Sequence, residues 1–244
     1  MKFRKRRLFV VLATFAGMVG WFLMSPNSYE SVFLPIEDTG AETEIEGEFL
    51  ESKNESGSSG LALELLEELE VKGRAPKTGY SREKFYPDWP LVNGCSLRQR
   101  ILRRELGDMA IMDDCNVIAG EFDEPYTGEH LVLNNREEVS KIQIDHVVAL
   151  SDAWQKGAQY MDYETRNKIA TDPLNLLAVD GEANKQKSDG DAATWLPSNK
   201  KFRCQYVARQ VSVKYKYGLW VTQAEKDAIS RVLSSCPNEP SVGI

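Results

Sequence analysis

The chain has 244 residues and a formal net charge of −7, and this charge, taken over the whole chain, argues against a nucleic-acid-binding protein. Its hydrophobic fraction of 42% and charged fraction of 27% exclude both a disordered polyelectrolyte and a multi-span membrane protein. Two histidines, and four cysteines without a Cys-x-x-Cys pair, exclude a His-rich zinc cluster and most Cys-ligated zinc folds.

The N-terminus has the form of an export signal. Basic residues within 1–7 precede an uncharged apolar run from Leu8 to Met24. This run exceeds the usual signal-peptide core and only just reaches the length that spans a bilayer, so cleavage and retention as an anchor are both open. We therefore predict that residues 1–26 are a signal peptide or an N-terminal membrane anchor. An uncleaved anchor would be the protein's only expected membrane contact.

The acidic charge is concentrated after this segment. Between Asn27 and Glu70 there are 13 acidic residues and one basic residue, with a Gly/Ser-rich stretch inside. This composition is typical of a flexible tether, and we predict a disordered acidic linker over 27–60. Leucines spaced over 61–69 indicate a helix that leads into a folded domain over 61–240. Most of that domain is nearly neutral, because residues 76–236 hold 22 basic and 23 acidic residues.

The four cysteines are expected to form disulfides, because an export signal directs them to an oxidising compartment. They are Cys95, Cys115, Cys204 and Cys236. Of the three pairings that four cysteines allow, we favour Cys95–Cys115 with Cys204–Cys236, because each pair closes a short local loop. Buried free thiols are the alternative.

A first strand is predicted near the middle of the domain. Residues 141–144 alternate polar and apolar side chains and are rich in β-branched types. Asp145 and His146 lie at the end of this strand. A helical stretch with a break or turn follows over 151–170 and ends before Pro173.

A second strand and a helix follow. Residues 174–179, which are apolar except for Asn175, are predicted to form the strand. Asp180 and Gly181 indicate a turn, and the helix from Glu182 is expected to carry Asn184, Lys187 and Asp191. A strand ending in Asp-His, then a strand and a helix that carries an Asn, is a compact frame for one metal ion.

The residue types in this frame suit a general base beside one metal ion. A neutral imidazole takes a proton from water near physiological pH, so His146 is the candidate general base. Asp145 and Asn184 offer hard oxygen ligands, which favour one Mg²⁺ or Mn²⁺ ion over Zn²⁺. Such an ion stabilises negative charge that develops on a reacting group.

Together, Asp145, His146, Asn175, Asn184 and Lys187 resemble the HNH endonucleases. The chain is most similar to the HNH domain at the C-terminus of GmrSD-type restriction enzymes and of many exported actinobacterial proteins. The resemblance implies an α+β fold with a ββα-metal core at about 140–192, embellished by helices. It also implies a bacterial enzyme that cleaves DNA, with RNA left open as a substrate, and that is secreted or anchored to the outer face of the cytoplasmic membrane.

The resemblance also implies further roles. Asn175 is expected to hold the loop that orients His146, and Lys187 is expected to contact a substrate phosphate from the helix. His146 and Asn175 are 29 residues apart, which is more than in compact members of the family. The helical insertion at 151–170 accounts for the difference.

A basic stretch begins at the same helix. Residues 185–216 hold eight basic and two acidic residues, and Lys185 is a second candidate substrate contact. The stretch leaves open a non-catalytic exported protein that binds nucleic acid or an anionic polymer. A hydrolase of another phosphodiester, such as a teichoic acid, is also open. No protein partner is predicted.

Overall fold

The structure, a computed structural model, describes residues 60–243. The predicted signal or anchor at 1–26, and the predicted linker at 27–60 apart from Gly60, lie outside the described residues. Within the described range, no helix combines the length and apolar character that a membrane crossing requires.

Residues 60–243 contain eight α-helices and seven β-strands. The helices are α1 (Ala62–Glu68), α2 (Leu97–Leu106), α3 (Arg136–Lys141), α4 (Leu150–Gln155), α5 (Tyr163–Thr171), α6 (Gly181–Lys187), α7 (Arg203–Tyr217) and α8 (Gln223–Leu233). The strands are β1 (Leu91–Val92), β2 (Cys95–Ser96), β3 (Ile111–Asp113), β4 (Asn116–Asp123), β5 (His130–Leu133), β6 (Ile142–His146) and β7 (Leu176–Asp180).

Within this part of the chain the strands form three small antiparallel sheets. These are β1–β2, β3–β4–β5 and β6–β7. Helices and small sheets together make an α+β fold, as the sequence predicted. An antiparallel bridge between Leu61 and Pro240 joins the two ends of the predicted domain, although the exact boundaries stay a prediction.

The strands β6 and β7 are the two that the sequence predicted around the Asp-His pair. Their register places Asp145 opposite Leu177 and Ile144 opposite Ala178. Because side chains alternate between the faces of a strand, these two pairs point to opposite sides. Ile144 and Ala178 pack in a core with α2, and Leu177 packs in a core with α1, α7 and α8. The strand pair is therefore held by packing on both faces.

Helix α6 follows β7 directly and lies on the Asp145 side. It is shorter than predicted, because Ser188 adopts a left-handed φ of 52° and ends the helix after Lys187. The expectation that this helix carries Asp191 was therefore wrong. Gly181 begins the helix, and a Cβ there would lie 2.6 Å from the carbonyl oxygen of Lys141. The absence of a side chain at this position lets α6 lie close against β6.

The insertion at 151–170 forms two helices, as the predicted break required. Helices α4 and α5 are separated by Gly157, whose φ is +128°. A Cβ at this glycine would lie 3.3 Å from the Trp220 ring. A third core of buried side chains, including Phe85 and Trp154, joins these helices to the segment before β1.

The cysteines form the favoured disulfides, Cys95–Cys115 and Cys204–Cys236. The first ties β2 to the turn before β4, and the second ties α7 to the chain after α8.

The basic stretch at 185–216 does not form a single surface. Lys214 is fully buried and pairs with Asp152 and Glu225, and Lys187 is buried as well. Lys156, also fully buried, pairs with Asp191 and with the same two acidic residues, so this ion-pair cluster joins α4, α7 and α8. Part of the basic sequence therefore stabilises the fold, which weakens the case for an extended anionic-polymer surface there.

Candidate active site

Asp145 lies near the end of β6, and its buried carboxylate accepts a hydrogen bond at each oxygen. Oδ2 accepts a hydrogen bond from the Tyr126 hydroxyl at 2.5 Å, and Oδ1 accepts one from Lys187 Nζ at 3.0 Å. Burial raises the pKa of Asp145, and the neighbouring Lys187 ammonium opposes that rise. The carboxylate is thus held in a fixed orientation by two donors.

His146 is the last residue of β6 and is also buried. Its Nε2 lies 2.9 Å from the backbone carbonyl oxygen of Ala170. A carbonyl oxygen only accepts hydrogen bonds, so we assign the ring proton to Nε2, which leaves the lone pair on Nδ1. Burial lowers the pKa of His146 to about 3. The imidazole is therefore neutral at physiological pH.

Two aromatic rings fix the plane of this imidazole. Trp89 stacks on His146 with ring centroids 6.0 Å apart and an interplanar angle of 7°, and Tyr86 contacts it at 5.8 Å. Both rings come from the segment before α2. The sequence contained no local signal for these contacts, because the partners are more than 50 residues apart along the chain.

Asn175 is fully buried just before β7. Its Oδ1 accepts a hydrogen bond from the Val148 amide at 2.8 Å, and its Nδ2 donates to the Ile169 carbonyl at 3.0 Å. The side chain thus connects the loop after His146 to the end of α5. This is the geometry expected of a residue that holds that loop.

Asn184 lies on α6, whose N-terminus is capped by Asp180. Its Nδ2 donates to Gln143 Oε1 at 2.8 Å. Gln143 stands two residues before Asp145 on the same face of β6, and this alternation was a signal from which its place at the site could have been predicted.

The two lysines of α6 occupy different environments. Lys187 is buried and donates to Asp145 and to the His146 carbonyl, the latter at 2.9 Å. Its ammonium is therefore turned toward the carboxylate, in contrast to the expected contact with a substrate phosphate. Lys185 is exposed, 3.6 Å from Glu182, and remains a candidate phosphate contact.

Asp145, His146 and Asn184 line one cavity of about 320 Å³, which we call the candidate active-site cavity. Gln143, Lys185 and Arg82 line it as well. A larger cleft of about 780 Å³ lies at the N-terminal end of α7, but none of the predicted site residues line it. The cavity that holds the candidate chemistry is therefore the smaller one.

The donor atoms at this cavity fit one hard divalent cation. One carboxylate and the neutral amide side chains of Asn184 and Gln143 supply oxygen donors, which suits Mg²⁺ or Mn²⁺ with bound water. Among residues 60–243, the one group of three His, Cys, Asp or Glu side chains whose ligand atoms all lie within 4.8 Å of one another is Cys204, Cys236 and Glu239. Its two sulfurs form a disulfide, so it is not a metal site.

Comparison with known proteins identifies the family. Residues 98–232 match the model of the C-terminal domain of GmrSD restriction endonucleases. The chain belongs to this family. The family is nuclease-like and its HNH members usually use a divalent metal, but membership alone does not assign the ion or the substrate of this chain.

A relative supports an extracellular location. The chain is 35% identical over 182 residues to an uncharacterized secreted protein from Arthroderma benhamiae, covering 73% of this chain and 86% of the relative. The two disulfides are consistent with export. No solved structure matches the chain. The family match begins after Leu97, so Tyr86, Trp89 and Arg82 lie outside it.

Proposed function

We propose that this protein is an exported, metal-dependent HNH endonuclease that hydrolyses phosphodiester bonds of DNA, with RNA left open as a substrate. One observation carries the proposal: a buried, neutral His146 lines the same cavity as Asp145 and Asn184. Asp145 and His146 stand on β6 and Asn184 stands on α6, and β6, β7 and α6 come in the order expected of a ββα-metal core.

In the proposed reaction, Nδ1 of His146 accepts a proton from the attacking water. The Ala170 carbonyl holds the opposite ring nitrogen, and Trp89 restrains the ring plane. Lys187 and Tyr126 hold the Asp145 carboxylate, which together with Asn184 would bind the metal ion. When bound, Mg²⁺ or Mn²⁺ supplies positive charge that stabilises the phosphate and the leaving oxygen.

A metal titration of plasmid nicking tests the proposal. We expect the purified protein to nick supercoiled plasmid with Mg²⁺ or Mn²⁺ and to stop when EDTA is added. Asp145→Asn removes the candidate carboxylate ligand and should lower the rate by about 10²-fold or more. Asp227→Asn, at an exposed position on α8, is the control and should cleave like the wild type.

Three other results would contradict the proposal or one part of it. If the wild-type protein binds DNA in a salt-dependent manner but does not cleave it, whichever divalent metal is added, the non-catalytic alternative is correct. If Asp145→Asn and Asp227→Asn cleave equally well, Asp145 is not a metal ligand. Faster hydrolysis of teichoic acid than of DNA would assign a different phosphodiester substrate.

A further inference from the structure

The segment before the family domain forms part of the candidate active-site cavity. Residues 77–89 precede the matched region and include a 3₁₀ turn at Arg82–Lys84. Helix α5 holds this turn, because Arg166 Nε donates to the Lys84 carbonyl at 2.8 Å and Asn167 Nδ2 donates to the Phe85 carbonyl at 3.0 Å. Phe85 is fully buried. The turn is therefore a fixed part of the cavity wall.

Arg82 projects from this turn and lines the cavity together with Asp145 and His146. Its guanidinium donates a hydrogen bond to the Tyr86 hydroxyl and lies over the Tyr86 ring, 5.0 Å from the centroid. Tyr86 in turn packs against His146. The guanidinium is thus held next to the candidate general base by an aromatic side chain.

Arg82 differs from the other cations around the cavity. Lys77 pairs with Asp189 at 2.8 Å, Lys185 lies near Glu182, and Lys187 is buried against Asp145. Among residues 60–243, no carboxylate lies within ion-pair distance of Arg82. Its positive charge is close enough to His146 to lower the pKa of the imidazole further, in addition to the larger effect of burial. An anion that enters the cavity therefore meets an unpaired guanidinium beside the base.

We propose that Arg82 binds the scissile phosphate of the substrate. The segment before the matched domain then contributes a substrate contact to the active site. This inference rests on the proposed nuclease function. A planar guanidinium offers two parallel N–H donors to phosphate oxygens. In phosphoryl transfer, donors that are already oriented toward these oxygens stabilise the charge that develops on them. The contact with Tyr86 supplies this orientation before substrate binds.

Substitution of two neighbouring cations tests the inference. Arg82→Gln removes the guanidinium, whereas Lys84→Gln removes an exposed charge from the same turn that does not line the cavity. We expect kcat/KM for plasmid nicking to fall by about 10²-fold in Arg82→Gln and to change by no more than about twofold in Lys84→Gln. Arg82→Lys should recover part of the loss, since it restores the charge but not the two-point contact.

A rescue measurement separates a phosphate contact from a structural role. Free guanidinium ion should restore part of the activity of Arg82→Ala but none of the activity of His146→Ala. Thermal unfolding of each variant shows whether the fold is retained. Equal activity of Arg82→Gln and Lys84→Gln, or no rescue of Arg82→Ala, would overturn the inference while leaving the nuclease intact. A wild-type protein without nuclease activity would overturn both proposals.

Discussion

At the scale of single residues, the candidate site depends on a buried ion pair. Lys187 and Asp145 are both shielded from solvent and bound to each other. In a buried pair the desolvation cost is offset by the partner, so removal of one partner leaves the other charge uncompensated. Lys187 is therefore a residue that positions the carboxylate.

The first prediction compares the two lysines of α6. Lys187→Met should lower the free energy of unfolding by about 3 kcal/mol or more, because Asp145 would stay buried without a cation. Lys185→Met removes the same charge from an exposed position and should change stability by less than about 0.5 kcal/mol. Urea unfolding of both variants measures the difference. Equal losses would contradict the assigned ion pair.

The second prediction concerns pH. Burial lowers the pKa of His146 to about 3 from an ordinary value of 6.5. Between these values the unfolded chain binds a proton at this residue and the folded chain does not, so folding stability falls as the pH is lowered from about 6.5 toward 3.

This contribution amounts to at most about 1.4 kcal/mol per pH unit. It should be absent from His146→Gln, so the difference in unfolding free energy between wild type and variant should shrink steadily from pH 7 to pH 4. Urea unfolding at several pH values measures it. A difference that is independent of pH would show that His146 titrates normally in the folded protein.

At the scale of secondary-structure elements, the distance between α6 and β6 determines where Asn184 stands relative to Asp145. Gly181 permits the close approach, since a Cβ there would meet backbone at 2.6 Å. Alanine favours a helix over glycine by about 1 kcal/mol, but relief of this overlap requires the helix or the strand to move.

The third prediction follows from that overlap. Gly181→Ala should lower stability by about 1–3 kcal/mol and should reduce nuclease activity as well, because Asn184 moves with the helix. Gly73→Ala is the matched control, since a Cβ at Gly73 has no atom within 4 Å. Thermal unfolding and plasmid nicking of the two variants provide the comparison. A fully active and stable Gly181→Ala protein would refute this account of α6.

Elements with a local sequence signal were predictable. The alternation before Asp145, the apolar run before Asp180 and the Leu spacing over 61–69 correspond to β6, β7 and α1. The contacts of Tyr126 with Asp145 and of Trp89 with His146 were not predictable, because they join distant parts of the chain and depend on packing. The ion-pair cluster of Lys156 and Lys214 was missed for the same reason.

At the scale of the whole molecule, the two disulfides are consistent with an extracellular location. Residues 27–70 hold 13 acidic residues and one basic residue, an excess of negative charge larger than the net charge of −7 of the whole chain. The two disulfides close loops with sequence separations of 20 and 32 residues. Loops of this length reduce the conformational entropy of the unfolded chain.

The fourth prediction is that reduction of the disulfides destabilises the domain. The loop lengths correspond to about 3–4 kcal/mol for each disulfide in the chain-entropy model. Thermal unfolding with and without a reductant should therefore show a large fall in Tm, and a Cys204→Ser, Cys236→Ser double variant should account for about half of the loss. Unchanged Tm under reduction would show that the disulfides contribute little to stability.

The most direct test of the central claim is the initial rate of plasmid nicking by His146→Ala, with Mg²⁺ present. The chain contains a second histidine, His130, which is exposed and bound to Asp123, so His130→Ala is the matched control. The account predicts that nicking falls by at least about 10²-fold in His146→Ala and is unchanged in His130→Ala. If His146→Ala nicks plasmid at the wild-type rate, the assignment of the active site is wrong.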